Sequence, residues 1–239
     1  MEPDQAGIRA FYDDRWAGFQ FANRLKCIRA AAILDLFAST RAVEPRILDV
    51  GSGAGWMTNI LSMFGPATGL EISPVAVAAA SARYPHASFF EGDVRTFTSA
   101  ELFEVVVAQE VLEHFEDHRE FMDSVNRLLK PGGWLILTTP NATTLAAMSR
   151  QQRSSFQNQP VENPVSMKQL EQLLTPGYRL ELMRTVVPGF GASTLAYRLA
   201  HSRKLWRVWN GIFGADAAER LTCRLGFGLH LAVLARKVG

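Results

Sequence analysis

The stretch ILDVGSGAGWMTNIL, Ile47 to Leu61, limits the fold more than any other part of the chain. Four residues suited to a buried strand run into glycines at 51, 53 and 55, and then into a segment patterned like a helix. That is the form of the first strand-to-helix turn of an open parallel sheet, where ligands sit beyond the carboxyl ends of the strands. Glycines there let the backbone bend tightly and let a ligand approach it. The spacing is Gly51-x-Gly53-x-Gly55. A dinucleotide fingerprint would need glycine where Trp56 stands, and no Lys-Ser/Thr pair follows to make a phosphate-binding loop.

The rest of the chain supports an open sheet. Strand-like runs, RILDV, ATGLEI, ASFFEGD, FEVVVAQEV and GGWLILTTPN, alternate with helical stretches near Met57–Phe64, Pro74–Tyr84 and His118–Leu129. Such alternation means βαβ units and a mostly parallel sheet. Pro74 suits a first helical turn after the candidate cap Ser73. KPGG at 130–133 is expected to stop a helix and start a strand. Residues from about Ile8 to Phe37 read as one helical region. The polar stretch 149–164 reads as a long loop or lid, followed by a helix in SMKQLEQLL and strands in YRLELMRTVV and LHLAVLARK.

Two acids sharpen the ligand. Glu71 closes the second strand about twenty residues beyond the glycine turn, where a carboxylate can accept both ribose hydroxyls of a nucleoside. Asp93, at the end of the third strand, is placed for an adenine amino group. Together they describe an adenosine pocket without a phosphate-binding device, which suits S-adenosylmethionine (SAM) better than NAD or ATP.

At this point a family resemblance emerges. LDVGSGAG, GLEIS, EGDV, QEVLEHFEDHREFMDSVNRLLKPGG and LILTTPN follow the order and spacing of class I SAM-dependent methyltransferases, strongly over residues 20–141. EVLEH, KPGG and TTPN are most similar to the ubiquinone-biosynthesis O-methyltransferases and related enzymes of bacterial glycan and natural-product pathways. The resemblance implies a Rossmann-like α/β fold. Its seven-stranded sheet is mostly parallel, with an antiparallel last strand and helices on both faces. It implies one domain over 1–239, with a helical cap at 1–40, a SAM-binding core at 46–141 and a helical insert at 189–225. It also implies a cofactor site made of Arg29, Asp49, Gly51, Ser52, Gly53, Gly55, Trp56, Glu71, Ile72, Asp93, Val94 and Gln109. Arg29 there is expected to hold the methionine part, and Gln109 to touch the cofactor. Glu71 departs from the family's more frequent Asp, keeping the carboxylate on a longer arm.

Methyl transfer from a sulfonium is an in-line displacement, so the protein chiefly positions two reactants and excludes water. A hydroxyl acceptor also needs a base with a pKa near the working pH. His114, just past the fourth strand, is the candidate base; its alternative role is a structural histidine bonded to a backbone carbonyl. Glu110 and Glu113 are expected to orient the loop or cap the next helix. His86, His118, His201 and His230 are expected on surfaces or in packing roles. Tyr12, Trp16 and Phe19 either line the acceptor pocket or pack the N-terminal helix. No metal cluster is evident, and none is demanded.

The expected reaction is methyl transfer to oxygen of a small-molecule, lipid-linked or sugar acceptor. N- or C-methylation on the same fold, and a non-catalytic SAM-binding subunit, are the alternatives. A net charge of only +2 gives no broad basic field for nucleic acid. Cys27 and Cys223 lack metal-ligand or CxxC spacing. The polar, acidic N-terminus is unlike a signal peptide, and no apolar run reaches the roughly 18 residues of a membrane span. A cytoplasmic protein is expected. Between Glu181 and Asp216 there is no acid, while Arg198, Arg203, Lys204 and Arg207 accompany Trp206 and Trp209. The run 193–213 reads as a basic amphipathic helix that lies on a membrane surface, covers the domain as a lid, or forms a dimer contact. The sequence leaves the oligomeric state open.

Overall fold

The computed structural model describes residues 5–16, 23–148, 160–188 and 228–239, with isolated positions between 208 and 226. Two helices, α1 (Gln5–Trp16) and α2 (Arg24–Thr40), precede β1 (Ile47–Val50). The single helical region expected there is divided, and Asn23 caps α2 by accepting from Lys26 N–H. Next come α3 (Trp56–Leu61), β2 (Ala67–Glu71), α4 (Pro74–Arg83), β3 (Ser88–Glu91) and β4 (Phe103–Gln109). A 3-10 turn (Leu112–His114), α5 (His118–Leu128), β5 (Leu129–Pro140) and α6 (Ala142–Ala146) follow. Among the described residues the last elements are α7 (Met167–Leu174), β6 (Tyr178–Pro188) and β7 (Gly228–Lys237).

The strands form one seven-stranded sheet in the order β3-β2-β1-β4-β5-β7-β6. All pairs from β3 to β5 are parallel, and β7 runs antiparallel to both its neighbours. A parallel sheet covered on both sides needs strands apolar on both sides. Alternating residues of β1, β4 and β5 accordingly enter two cores. Leu48, Val106, Leu135 and Leu137 pack with Phe121 and Val125 of α5 and Leu170 and Leu174 of α7. Ile47, Val105, Val107 and Ile136 pack with Ile33 and Leu36 of α2 and Met57 and Leu61 of α3.

Local chemistry sets the boundaries. Ser73 accepts from Ala76 N–H ahead of Pro74, as the sequence suggests. Ser166 and Gln169 form a capping box at α7. KPGG behaves differently from expectation: it lies inside β5. The pair Phe103–Leu129 is followed by Val105–Trp134, so Lys130–Gly133 bulges out, and Gly132 takes the positive φ of +73° that the bulge requires. Strand order reverses between β1 and β4, and their carboxyl ends open a crevice there.

Candidate active site

A cavity of about 770 Å³ fills this crevice. Its walls come from α1, α2, the ends of β1, β2 and β4, the loop after β3, the 3-10 turn and Val161. Arg29, Asp49, Gly51, Ser52, Gly53, Trp56, Glu71, Ile72, Asp93, Val94, Gln109 and His114 all line it. Gly55, the remaining residue of the expected set, is absent from the walls. It caps α3 at φ +79°, and a Cβ there would lie 2.7 Å from Ala80 and Phe89. Its glycine is needed for packing.

The turn is braced from behind. Gly51 and Ser52 N–H both reach Leu70 O, at 2.8 and 3.1 Å. Glu71, buried, accepts from Gly53 N–H at 2.9 Å and from Ser73 N–H at 3.0 Å. An ionised carboxylate has about four acceptor positions, so these two bonds leave room for a hydroxyl donor. Burial pushes the Glu71 pKa up, against the pull of these N–H groups. At Gly53 the close approach is made by Trp16 of α1: a Cβ there would stand 2.5 Å from the indole. Asp49, also buried, accepts from Thr58 Oγ1 at 2.6 Å, and burial raises its pKa to about 7. Asp93 lies two residues past β3 rather than at its end, and Arg95 holds it through backbone N–H and Nε at 2.9–3.0 Å.

A second constellation lies past β4. Glu110 has φ +58°, rare for a residue with a side chain. Its Oε1 accepts from Thr138 Oγ1 at 2.9 Å. Its Oε2 is 2.6 Å from His230 Nδ1 of β7, a close contact in which the ring N–H points off the line of an ideal hydrogen bond. Arg29 Nη1 lies 3.3 Å from His230 Nε2 and 3.9 Å from Glu110 Oε2. Burial opposes ionisation of Glu110, but His230, Arg29 and Thr138 outweigh it and hold the carboxyl at about 2. The neighbouring Glu113 is buried too, with Thr139 Oγ1 donating to it at 3.1 Å. Burial and the Glu110 charge push its pKa well up.

His114 Nδ1 lies 2.9 Å from Val161 O. A carbonyl only accepts, so Nδ1 carries the proton and Nε2 keeps its lone pair. Burial lowers the pKa of this imidazole, partly against the Val161 bond. Tyr12 meets the ring edge-on, with centroids 6.2 Å apart. Trp16 also lines the cavity, whereas Phe19 is outside the described residues. The segment after Pro160 is tied down as well: Asn163 N–H donates to Glu113 O at 2.8 Å, and His118 Nε2 to Asn163 O at 2.9 Å.

Around the cavity, Trp16 Nε1, Arg29 Nε, Ser52 Oγ and Gln109 Nε2 are buried without a protein partner. Unsatisfied buried polar atoms are uncommon, and their grouping suits a polar ligand. The acids Glu71 and Asp93 and the cations Lys26 and Arg29 share the same walls. Carboxylates suit the hydroxyl and amino groups of an adenosine, and cations suit the carboxylate of an amino acid. SAM carries both parts.

Residues 21–177 match the family model described as a methyltransferase domain. The chain belongs to that family. It is a class I SAM-dependent methyltransferase, and SAM is its cofactor. It is 30% identical over 146 residues to demethylmenaquinone methyltransferase of Chlorobaculum parvum, covering 57% of this chain and 61% of that one. It is 33% identical over 114 residues to the mitochondrial ubiquinone biosynthesis O-methyltransferase of Schizosaccharomyces pombe, covering 43% of this chain and 40% of the other. The match thus spans less than two thirds of either relative. Among solved structures, the N-methyltransferase NodS of Bradyrhizobium japonicum with S-adenosyl-L-homocysteine (SAH) superposes with a TM-score of 0.64 at 20% identity, over 96% of this chain and 98% of that one. Magnesium protoporphyrin IX methyltransferase of Synechocystis gives 0.63 at 15%, over 98% and 99%. These likenesses support the fold.

Sequence reasoning missed His230. The only local signal was a lone imidazole in an otherwise apolar strand, GLHLAVLA. The expected insert at 189–225, including the run 193–213, lies outside the described residues apart from isolated positions, as does most of the stretch 149–164. Among the described residues no helix is long and apolar enough to cross a membrane, and no group of three or more His, Cys, Asp or Glu is placed to hold a metal ion.

Proposed function

We propose that this methyltransferase acts on a hydroxyl oxygen of a small, ring-bearing acceptor of quinol or phenol type, with His114 as the base. The observation that carries the reading is the tautomer of His114: Val161 O accepts from Nδ1–H, so Nε2 keeps its lone pair, and His114 lines the cavity. A neutral imidazole with one free lone pair can take a hydroxyl proton as the oxygen attacks. Glu113 Oε1 lies 3.8 Å from the ring, and burial disfavours a charge on it. The names of the ubiquinone and menaquinone relatives support a quinone-type acceptor, and the aromatic edge of Tyr12 suits a flat ring.

When bound, SAM supplies a methyl group already activated by its sulfonium. The chain's own residues do the rest. Glu71 and the glycine turn would hold the nucleoside, Asp93 and Val94 would flank the base, and Gln109 and Arg29 would hold the amino-acid part. His114 would keep the acceptor oxygen in line and receive its proton. Residues 1–239 would form one domain.

Isotope-labelled SAM, the purified protein and a panel of catechols, hydroquinones and amines test the reading, with products assigned by mass spectrometry. Label on oxygen is the expected result; label on carbon or nitrogen overturns it. His114→Ala should lower turnover by roughly 10²–10⁴-fold with SAH affinity kept. Loss of SAH binding in step with activity would make His114 a structural residue.

A further inference from the structure

The Arg29–His230–Glu110 cluster is a second polar group of the site, separate from the His114–Val161 bond. It joins α2, β7 and the residue after β4 across 201 positions of sequence between Arg29 and His230. Glu110 is held in a left-handed conformation, which persists only where its surroundings fix it. A carboxylate and a guanidinium this close, left to themselves, form a two-pronged ion pair. Here they do not: they stay 3.9 Å apart, because the imidazole of His230 touches both, at 2.6 Å from the acid and 3.3 Å from the guanidinium. His230 is 5% exposed, so the ring has little room to leave.

We propose that His230 is a positioning residue: a spacer that engages Glu110 so that Arg29 is not neutralised and keeps its charge for the carboxylate of SAM. The inference rests on the assignment of Arg29 to the amino-acid end of the cofactor. The charge distribution favours that end, because Glu71 and Asp93 make the other end of the cavity repel a carboxylate, whereas Lys26 shares the wall with Arg29. The imidazole suits the spacer role chemically, because it presents one nitrogen to each partner. Its Nδ1 lies 2.6 Å from the acid, and its Nε2 lies 3.3 Å from the guanidinium, placed to accept from it. An apolar side chain in its place would leave Glu110 and Arg29 facing each other.

Calorimetric SAH affinity of the whole chain tests this, with cofactor-free melting measured on each variant. His230→Leu should bind SAH about 10-fold more weakly or worse, as Glu110 captures the guanidinium. His230→Gln offers one donor and one acceptor and should stay within about 3-fold of the unaltered protein. The double variant His230→Leu/Glu110→Gln should recover most of the loss, because the capturing charge is gone. A role confined to packing would not give that recovery. If His230→Leu does not fold, His230→Phe, which fills the space without polar atoms, replaces it in both arms. Unchanged SAH affinity in the single apolar variant, or no recovery in the double, overturns the proposal. Equal SAH affinity of Arg29→Ala and the unaltered protein would instead remove the assignment of Arg29, independently of the spacer.

Discussion

Asp49 is the residue whose replacement should show most plainly what the cavity costs the fold. It is 1% exposed, and its carboxyl ionises near 3.8 in the unfolded chain but at about 7 in the folded one. Burial is the main cause, resisted by the Thr58 hydroxyl. Between those two values the folded state holds a proton that the unfolded state has released. Stability therefore increases as pH falls from 7 toward 4, and above 7 the full cost of the buried charge is present. At about 1.36 kcal/mol per pH unit, the gap amounts to roughly 4 kcal/mol. Asp49→Asn keeps an oxygen for Thr58 and cannot ionise. In urea unfolding of the cofactor-free protein at pH 5 and pH 8, the unaltered chain should lose stability as pH rises, and the variant should lose less. Glu162, raised to about 7 by burial and by Glu110, and Glu113 contribute with the same sign in both proteins, so the difference between the slopes isolates Asp49. The reasoning fails if the two proteins lose the same stability over that interval.

Gly53→Ala places a methyl group 2.5 Å from the Trp16 ring at φ +51° and should weaken SAH binding with a change in tryptophan fluorescence. Adding Trp16→Ala should relieve the clash while leaving a backbone penalty of roughly 1–2 kcal/mol, and no relief would mean that α1 does not press on the turn. Glu71→Ala should cost roughly 1–3 kcal/mol of SAH affinity by calorimetry, since Gly53 and Ser73 N–H lose their acceptor; unchanged affinity would move the ribose contact elsewhere. Replacing Arg203, Lys204 and Arg207 with Gln should reduce co-sedimentation with anionic vesicles by about 1 kcal/mol per charge, and an unaltered protein that ignores such vesicles at low salt would refute a membrane contact.

What the sequence made legible was local. The glycine turn, the strand-end Glu71, the Ser73 cap and the helix from His118 each depend on neighbours within a few residues, and each stands where the sequence suggests. The antiparallel last strand came from the family resemblance and agrees with the sheet. What escaped was set by contacts between distant segments. KPGG reads as a stop and a start, yet its strand continues across a bulge because β4 pairs on both sides of it. Asp93 reads as a strand-end acid placed for an adenine amino group, yet it lies two residues past β3 and Arg95 folds back on it. His230 lies 120 residues beyond the Glu110 it touches, and no periodicity links them.

One carbonyl has a consequence for timing. Val161 O both secures the segment after Pro160 against the 3-10 turn and dictates which nitrogen of His114 bears the proton. Were that segment to lift, the imidazole would lose the partner that selects its tautomer, and the two ring nitrogens would compete for a single proton. Docking of the segment and readiness of the proposed base are therefore one event. A nitrogen NMR spectrum of His114 would read the position of a stretch of backbone that it never covalently joins.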